Sequence, residues 1–210
     1  MYFTLNDTQN RALLQRSEAS GAKAVVWAID SPGSPDRQRA ARYDVGSANT
    51  AFVKNTWEIY QQYRNWTTLP IVLKGIQNVA DARAAVDHGV KAIILSNHGG
   101  RNLDGSPSSL EVALEIFNND PEIFNEIEVL ADGGIRYGTD ALRLLALGVK
   151  AVGMGRPFMY SNVFGVDGVK KIIALMRNGI MNDAANLGLG DLKSINSSYV
   201  DWTPQPFWGF

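Results

Sequence analysis

The residues best suited to chemistry lie in one short stretch, residues 95–105, which reads Leu-Ser-Asn-His-Gly-Gly-Arg-Asn-Leu-Asp-Gly. His98 is one of only two histidines in the chain, and Arg101 follows three positions later. An imidazole can accept a proton near neutral pH, and a guanidinium binds a carboxylate with two parallel hydrogen bonds. The apolar run Lys91–Leu95 directly before them predicts a buried strand. This order is typical of the catalytic rim of an α/β barrel.

A repeated unit predicts how such strands are arranged. The sequence Gly-(Ala or Val)-Lys-Ala begins at Gly21, Gly89 and Gly148, each time after a helix-like stretch and before an apolar run. A glycine suits the position just after a helix, where a positive φ is needed. The pattern predicts helix, tight loop and buried parallel strand, several times over. We predict six strands, near Tyr2–Leu5, Ala24–Ile29, Ile71–Lys74, Ala92–Ser96, Glu128–Ala131 and Ala151–Met154.

The segments between the strands have an amphipathic, helical pattern. We predict helices over Asp81–His88 and over Thr139–Leu147, with Thr139 as an N-terminal cap. A further helix is expected over Asp167–Asn178 and another over Met181–Leu187. We interpret residues 1–210 as one domain with an irregular tail from about residue 193, because no linker is visible and Ser197–Phe210 is rich in Trp, Pro and Ser.

Two α/β architectures fit this alternation. Six parallel strands are two short of a (β/α)₈ barrel, which typically needs about 250 residues. An open doubly wound sheet would also fit. The arguments below favour the barrel, with its first two strands missing.

Chemistry-bearing residues follow five consecutive strands, where parallel α/β folds collect their function. They are Asp30, Lys74, His98 with Arg101, Asp132 with Gly133 and Gly134, and Gly155 with Arg156. A chance distribution would scatter such residues over both ends of the strands. We therefore expect them to meet at one edge of the sheet.

Each of these residues also has a structural interpretation. A lone histidine is more often a satisfied structural residue than a base, but a nearby aspartate such as Asp30 would fix the tautomer of His98 and stabilise its charged form. Lys74 is either a surface lysine with a buried stem or a fixed cation in the barrel mouth. Arg37 lies in a polar, basic loop that reads as a solvated face, and His88 reads as a surface residue.

Two glycine-rich turns follow the last two strands, at Asp132–Arg136 and at Gly153–Pro157. Many barrels bind phosphate at this place through main-chain N–H groups and a helix N-terminus. The glycines let an anion approach the main chain, and Arg136 and Arg156 could add charge-assisted hydrogen bonds. Either turn alone could be ordinary, but the two in tandem favour a phosphate site.

Bulk composition excludes several classes of function. With 45% hydrophobic and 20% charged residues, the chain has ordinary globular composition. The net charge of -1 implies no general attraction to nucleic acid or to anionic membranes. The absence of cysteine excludes disulfides, thiolate metal sites and a cysteine nucleophile, and no metal site is expected. No apolar run reaches the ~20 residues of a membrane span, and no signal-peptide pattern is visible, so we expect an intracellular protein.

Residues 96–104 closely resemble the signature of the FMN-dependent α-hydroxy acid dehydrogenases and oxidases, which include flavocytochrome b2, glycolate oxidase and lactate oxidase. The resemblance continues, in the same order and with similar spacing, through Leu69–Gly75, Asp132–Gly138 and Gly153–Tyr160. It extends from about Tyr2 to about Leu192. It implies a TIM-type (β/α)₈ barrel, FMN as cofactor, a small 2-hydroxy acid as substrate and an external electron acceptor, either oxygen or a redox protein.

The resemblance also implies roles for individual residues. His98 would take the substrate proton with Asp30 as its partner, and Arg101 would grip the substrate carboxylate with help from Arg37. Tyr2 would match the tyrosine of the family's third barrel strand if the alignment has no gap, and Phe3 would stand there if it has one. The residues implied to bind FMN are Lys74 and Ser96 at the flavin ring, Gly133, Gly134, Arg136, Gly155 and Arg156 at the phosphate, and Asp132 as a further cofactor contact.

The chain departs from the family pattern near its start. The first two barrel strands and the glutamine before the third-strand tyrosine have no counterpart, and Ala28 stands where the family usually has a flavin-contacting threonine. Open barrel edges would favour association into a homo-oligomer. Two alternatives to the enzyme therefore stand: a truncated, non-catalytic remnant, or a phosphate-binding barrel module without redox chemistry.

Overall fold

Five parallel strands form one sheet in the computed structural model, which describes residues 1–33, 42–44 and 53–201. The strands are β1 (Val25–Ala28), β2 (Ile71–Ile76), β3 (Ala92–Leu95), β4 (Glu128–Asp132) and β5 (Ala151–Gly153). They are hydrogen-bonded in the order in which they occur along the chain. A doubly wound sheet would reverse its strand order at a switch point. The sequential order is that of a partial (β/α)₈ barrel, as the sequence predicts.

Helices connect and cover the strands. They are α1 (Asp7–Ala19), α2 (Trp57–Arg64), α3 (Val79–Asp87), α4 (Ser109–Asn119), α5 (Ile123–Glu126), α6 (Gly138–Ala146), α7 (Arg156–Asn162) and α8 (Gly165–Asn186). Two 3₁₀ turns follow, at Leu192–Ser194 and Ser197–Tyr199. Among the described segments, no helix is long and apolar enough to cross a membrane.

The three repeated glycines lie where the sequence predicts. Gly21, Gly89 and Gly148 each come one residue after a helix cap and have φ values of 78°, 75° and 111°. This left-handed conformation turns the chain from α1, α3 and α6 into the next strand. The repeat therefore encodes the helix-to-strand turns.

The core lies between the sheet and its helices. Alternate residues of the central strands, including Ile93, Leu95, Val129 and Ala131, are almost completely buried. Their neighbours on β3 and β4 are half-buried or exposed, and the residues that alternate with the buried ones include Asp132. One face of the sheet therefore packs against the helices, and the charged side chains lie on the opposite face.

The predicted strand at Tyr2–Leu5 is wrong. Met1 makes two main-chain hydrogen bonds beside β1, to Val26 and from Ala28. At Thr4, however, both the N–H and the carbonyl are bonded to the side-chain amide of Asn10, which is buried on α1. A main chain whose polar groups are taken by a side chain cannot continue a strand ladder.

Three local predictions differ from the structure near the C-terminus. Thr139 lies inside α6 and does not cap it, because the Asp140 carboxylate accepts the N–H groups of Arg136 and Tyr137. The two helices predicted around Asp167–Asn178 and Met181–Leu187 form the single helix α8, since Gly179 and Ile180 do not interrupt it. The tail contains the two 3₁₀ turns as far as it is described.

Helices α6 and α8 approach closely at two glycines, and this contact yields a stability prediction. A Cβ placed on Gly138 would overlap the main chain of Gly179 and lie 2.5 Å from the Ile180 nitrogen. We expect Gly138→Ala to destabilise the fold by about 1–3 kcal/mol through overpacking. Urea unfolding followed by circular dichroism measures the change.

Gly179→Ala is the matched control, because its Cβ would lie 3.5 Å from the nearest atom, which is ordinary contact distance. This variant should be neutral or stabilising, because alanine has a higher helix propensity than glycine in a helix interior. Equal destabilisation by both variants would contradict the assignment of the tight contact to Gly138.

Candidate active site

Five consecutive strands bring their terminal residues to one edge of the sheet. Asp30 follows β1, Lys74 lies in β2, and His98 follows β3. Asp132 ends β4, and Gly155 follows β5 at the start of α7. The expected clustering at the carboxyl ends of the strands is what the fold produces.

Asp30 lies at the centre of this cluster, with a completely buried side chain. Its Oδ1 atom is 2.8 Å from His98 Nδ1, and its Oδ2 atom is 2.9 Å from Lys74 Nζ. An ionised carboxylate only accepts hydrogen bonds, so Nδ1 of His98 must carry a proton. In the neutral ring, Nε2 is then left as the acceptor.

The pKa of the Asp30 carboxyl lies below its ordinary value. Burial alone would raise this pKa, because a low dielectric disfavours the charged form. The hydrogen bond from His98 and the charge and hydrogen bond of Lys74 outweigh burial and lower it. Asp30 is therefore ionised at neutral pH, as a partner for an imidazolium requires.

Lys74 extends the cluster to β3 and β4. Its Nζ atom donates to Ser96 Oγ over 2.9 Å and lies 3.7 Å from Asp132 Oδ2. The Ser96 hydroxyl donates to Asp132 Oδ1 over 2.5 Å and accepts the N–H of His98 over 3.1 Å. Ser96 thus uses its one proton and both lone pairs, and it fixes three neighbours at once.

His98 presents its second ring nitrogen to the cleft. The Tyr2 hydroxyl lies 3.2 Å from Nε2 and, given the proton on Nδ1, donates to it. His98 has a φ of 59°, a left-handed conformation that is uncommon for a residue other than glycine. The ring is almost completely buried, so its orientation is set by Asp30 on one side and Tyr2 on the other.

Two arginines contact the loop that carries His98. Arg101 Nε donates to the His98 carbonyl over 3.0 Å, and Arg156 Nη2 donates to the Gly99 carbonyl over 2.7 Å. Both arginines line the cleft. Among the residues that the structure describes, each guanidinium makes only this hydrogen bond, which leaves further N–H groups for an anion.

The cleft runs from His98 to the two glycine-rich turns and has a volume of about 670 Å³. A Cβ added to Gly134 or Gly155 would meet no atom within 4 Å, so open space adjoins the main chain there. Helix α7 begins beside Gly155 without a side-chain cap. Lining residues between the charged ends include Ile135, Met154 and Met159.

Sequence reasoning missed several residues that hold the site together. Gly75, with a φ of 114°, packs so closely on Asp30 that any Cβ would overlap it. The Ser109 hydroxyl lies within hydrogen-bond reach of the carbonyls of Leu95 and Asp132, at the ends of β3 and β4. Such contacts join residues far apart in sequence and leave no local signal.

Of the predicted site residues, Asp30 and Ser96 are buried beneath the cleft and are hydrogen-bonded to residues that line it. The residues that line it are Tyr2, Lys74, His98, Arg101, Asp132, Gly133, Gly134, Arg136, Gly155 and Arg156. Arg37 lies outside the described residues.

Comparison with known proteins identifies the family. The sequence model of the family described as FMN-dependent dehydrogenase matches residues 44–202. The chain belongs to this family. The match begins after Tyr2 and Asp30, and several relatives cover 90% or more of the chain.

Among such relatives, 4-hydroxymandelate oxidase of Amycolatopsis orientalis is 36% identical over 94% of the chain and 62% of its own length. The L-lactate dehydrogenase (cytochrome) of Saccharomyces cerevisiae is 32% identical over 90% of the chain and 36% of its own length. The chain therefore spans about three-fifths of the first relative and about a third of the second.

Solved structures agree with the fold. The flavin-binding domain of flavocytochrome b2 from baker's yeast superposes with a TM-score of 0.89 and 33% identity, over 96% of this chain and 53% of that one. A mandelate oxidase variant gives a TM-score of 0.83 and 36% identity, over 94% of this chain and 61% of that one. Both belong to FMN-dependent TIM-barrel proteins, which confirms that the fold is part of such a barrel.

The residues of the cleft fit the family cofactor, FMN. A volume of about 670 Å³ is in the usual range of about 300–1,000 Å³ for cofactor and ligand sites. The open space beside Gly134 and Gly155 admits an anion to main-chain N–H groups, and Arg136 and Arg156 supply positive charge. Lys74 offers a fixed cation at the opposite end.

The lowered pKa of Asp30 makes stability depend on pH in a defined direction. In the unfolded chain this carboxyl titrates near its ordinary value of about 3.9, and in the folded chain it titrates lower. Ionised Asp30 therefore stabilises the fold above about pH 4, and this contribution is lost as pH falls through the folded pKa. The gap in unfolding free energy between wild type and Asp30→Asn should be constant near neutrality and should narrow below about pH 4.

Urea unfolding from pH 7 down to pH 3 measures this gap. In a Lys74→Met background the folded pKa of Asp30 rises towards its unfolded value, so the gap should be smaller near neutrality and should finish closing at a higher pH. A gap that stays constant down to pH 3 in both backgrounds would contradict the assignment.

Proposed function

We propose that this chain carries the catalytic part of an FMN-dependent enzyme that oxidises an L-2-hydroxy acid to the 2-oxo acid. The observation that supports this most strongly is the carboxylate of Asp30, which is shared between His98 Nδ1 and Lys74 Nζ at the floor of the cleft. This arrangement supplies an oriented base and a fixed cation side by side. Family membership and the names of the relatives support the same reaction class.

Arg101 would bind the substrate carboxylate. Its Nε is bonded to the His98 carbonyl, which leaves the Nη groups available for a two-pronged contact with a carboxylate. Arg37, outside the described residues, is proposed as a second contact on the resemblance to the family. Both would place the substrate beside the His98 ring.

Proton removal falls to Nε2 of His98. This nitrogen lies at the cleft and accepts a hydrogen bond from the Tyr2 hydroxyl. The hydroxyl would give up or share this hydrogen bond when Nε2 accepts the substrate proton. The imidazolium that forms is stabilised by the ionised Asp30 on Nδ1. Oxidation removes two protons and two electrons from the substrate. One proton goes to Nε2 of His98, and the other proton and the two electrons would be taken up by FMN when it is bound.

The cofactor contacts are divided between the two ends of the cleft. Lys74, Ser96 and Asp132 would hold the flavin ring, and Gly133, Gly134, Arg136, Gly155 and Arg156 would hold the phosphate. When bound, FMN supplies the electron acceptor that no side chain of this chain can provide. The final acceptor is proposed to be external, either oxygen or a redox protein, as the resemblance to the family implies.

The proposal predicts that the chain loaded with FMN loses its flavin absorbance when L-lactate, glycolate or mandelate is added without oxygen. We expect His98→Gln to retain FMN but to slow this bleaching by roughly 10²–10⁴-fold, the usual contribution of a positioned base. Stopped-flow absorbance measures the rate.

His88→Gln is the matched control because His88 stacks on Trp57, 4.1 Å between ring centroids, and does not line the cleft. It should bleach at the wild-type rate. A wild-type chain that binds FMN but is not bleached by any hydroxy acid would favour the phosphate-binding module. A chain that does not retain FMN would favour the non-catalytic remnant.

The phosphate assignment makes a separate prediction about affinity. Hydrogen bonds to a charged group contribute about 1.5–3 kcal/mol, so Arg136→Met should weaken FMN binding by roughly 10- to 100-fold. Quenching of flavin fluorescence during titration measures the dissociation constant.

Arg143→Met is the control, since Arg143 is an exposed residue of α6 that does not line the cleft. It should bind FMN as the wild type does. Inorganic phosphate should compete with FMN in the wild type and less so in Arg136→Met. Equal dissociation constants for FMN in Arg136→Met and Arg143→Met would show that Arg136 does not bind the phosphate.

A further inference from the structure

Asn102 joins the loop after β3 to the end of β1. Its Nδ2 atom donates to the main-chain carbonyl of Asp30 over 2.5 Å, across 72 positions of sequence. Its Oδ1 atom is sealed from solvent and has no hydrogen-bond partner among the residues that the structure describes. If the amide were flipped, Asn102 Oδ1 would face the carbonyl oxygen of Asp30, and the two acceptors would repel each other. The Nδ2 group is therefore the end that contacts Asp30.

The main chain of Asp30 needs such a partner because it lies just beyond the sheet. Ile29 is still fixed, with its N–H bonded to the Lys74 carbonyl over 2.8 Å and its carbonyl bonded to Asn55 Nδ2 over 3.0 Å. One residue later the parallel ladder has ended. Gly75 packs against Asp30 from the β2 side, and Asn102 holds its carbonyl.

The loop that carries Asn102 also carries the partner of the Asp30 side chain. His98 lies four residues before Asn102, and its Nδ1 atom bonds Asp30 Oδ1. The two loops are therefore joined twice, once through the Asp30 carboxylate and once through its carbonyl. Two contacts fix the rotation of Asp30 relative to the imidazole, where a single contact would leave a hinge.

We propose that Asn102 is a positioning residue, which holds Asp30 through its main-chain carbonyl so that the carboxylate stays in line with His98 and Lys74. The catalytic meaning of this role rests on the proposed function, but the contact itself can be tested without cofactor or substrate. The role needs the amide N–H₂ group and not merely the shape of the side chain.

Nitrogen-15 NMR of histidine-labelled protein tests the contact directly. The chain has two histidines, and in each the Nδ1 atom faces an acceptor, Asp30 Oδ1 for His98 and the Ala84 carbonyl for His88. The His88 signal reports that the fold is intact. In Asn102→Asp, which keeps the shape but replaces the donor by an acceptor, the hydrogen-bonded Nδ1–H signal of His98 should disappear while that of His88 remains.

Asn55→Asp is the matched control, because Asn55 makes the same kind of bond one residue earlier, to a carbonyl that the ladder already positions. It should keep both histidine signals. Asn102→Leu removes the donor without adding charge, and it decides the outcome if Asn102→Asp loses both signals and so fails to fold. A His98 signal that persists in either folded Asn102 variant, or that is lost equally in folded Asn55→Asp, would overturn the proposal.

Kinetics of the FMN-loaded chain provide the second readout. Misplacing a reacting group by about 1 Å costs up to about 100-fold in rate, so Asn102→Leu should lower kcat by roughly 10- to 100-fold and leave KM for the hydroxy acid nearly unchanged, since Arg101 is untouched. A change confined to KM would overturn the positioning role. If the wild-type chain has no activity at all, the proposed function fails, and the NMR result still decides the role of Asn102.

Discussion

The arrangement of the site depends on one buried carboxylate that serves two partners. Asp30 accepts from His98 with one oxygen and from Lys74 with the other. A buried charge is costly unless it is paired and hydrogen-bonded, so the ends of β1, β2 and β3 must meet in one geometry for this charge to be tolerated. Ser96 is hydrogen-bonded to both Lys74 and Asp132, so the end of β4 must meet the same geometry. The sheet edge is therefore held together by its polar network as well as by its apolar core.

Negatively and positively charged side chains lie at different depths of the cleft. Its carboxylates, Asp30 and Asp132, lie low and are occupied by Lys74 and Ser96. The arginines at positions 101, 136 and 156 lie around the rim with N–H groups to spare. Two separate anionic groups fit this pattern, because the exposed arginines attract anions. In the proposed function these groups are the substrate carboxylate and the cofactor phosphate.

The sequence predicts the fold and the placement of the site well because both follow from repeated local rules. Gly89 marks a helix-to-strand turn, and the carboxyl-end rule brings His98 and Asp132 to the same edge. Errors arise where a distant side chain competes with the main chain, as Asn10 does at Thr4. Contacts such as Gly75 on Asp30 or Asn102 on its carbonyl could not be predicted, because nothing near these residues in sequence reveals their partner.

The left-handed turn at His98, Gly99 and Gly100 has φ values of 59°, 67° and 68°. Glycine adopts this conformation at little cost, whereas a residue with a side chain is disfavoured in it. At position 98, main-chain preference and side-chain chemistry therefore act in opposite directions. Random mutation under selection for stability alone would drift towards glycine or asparagine here, as it would not at an ordinary helical site. A histidine at this position therefore gives up some main-chain stability, and its buried hydrogen bond to Asp30 acts against that loss.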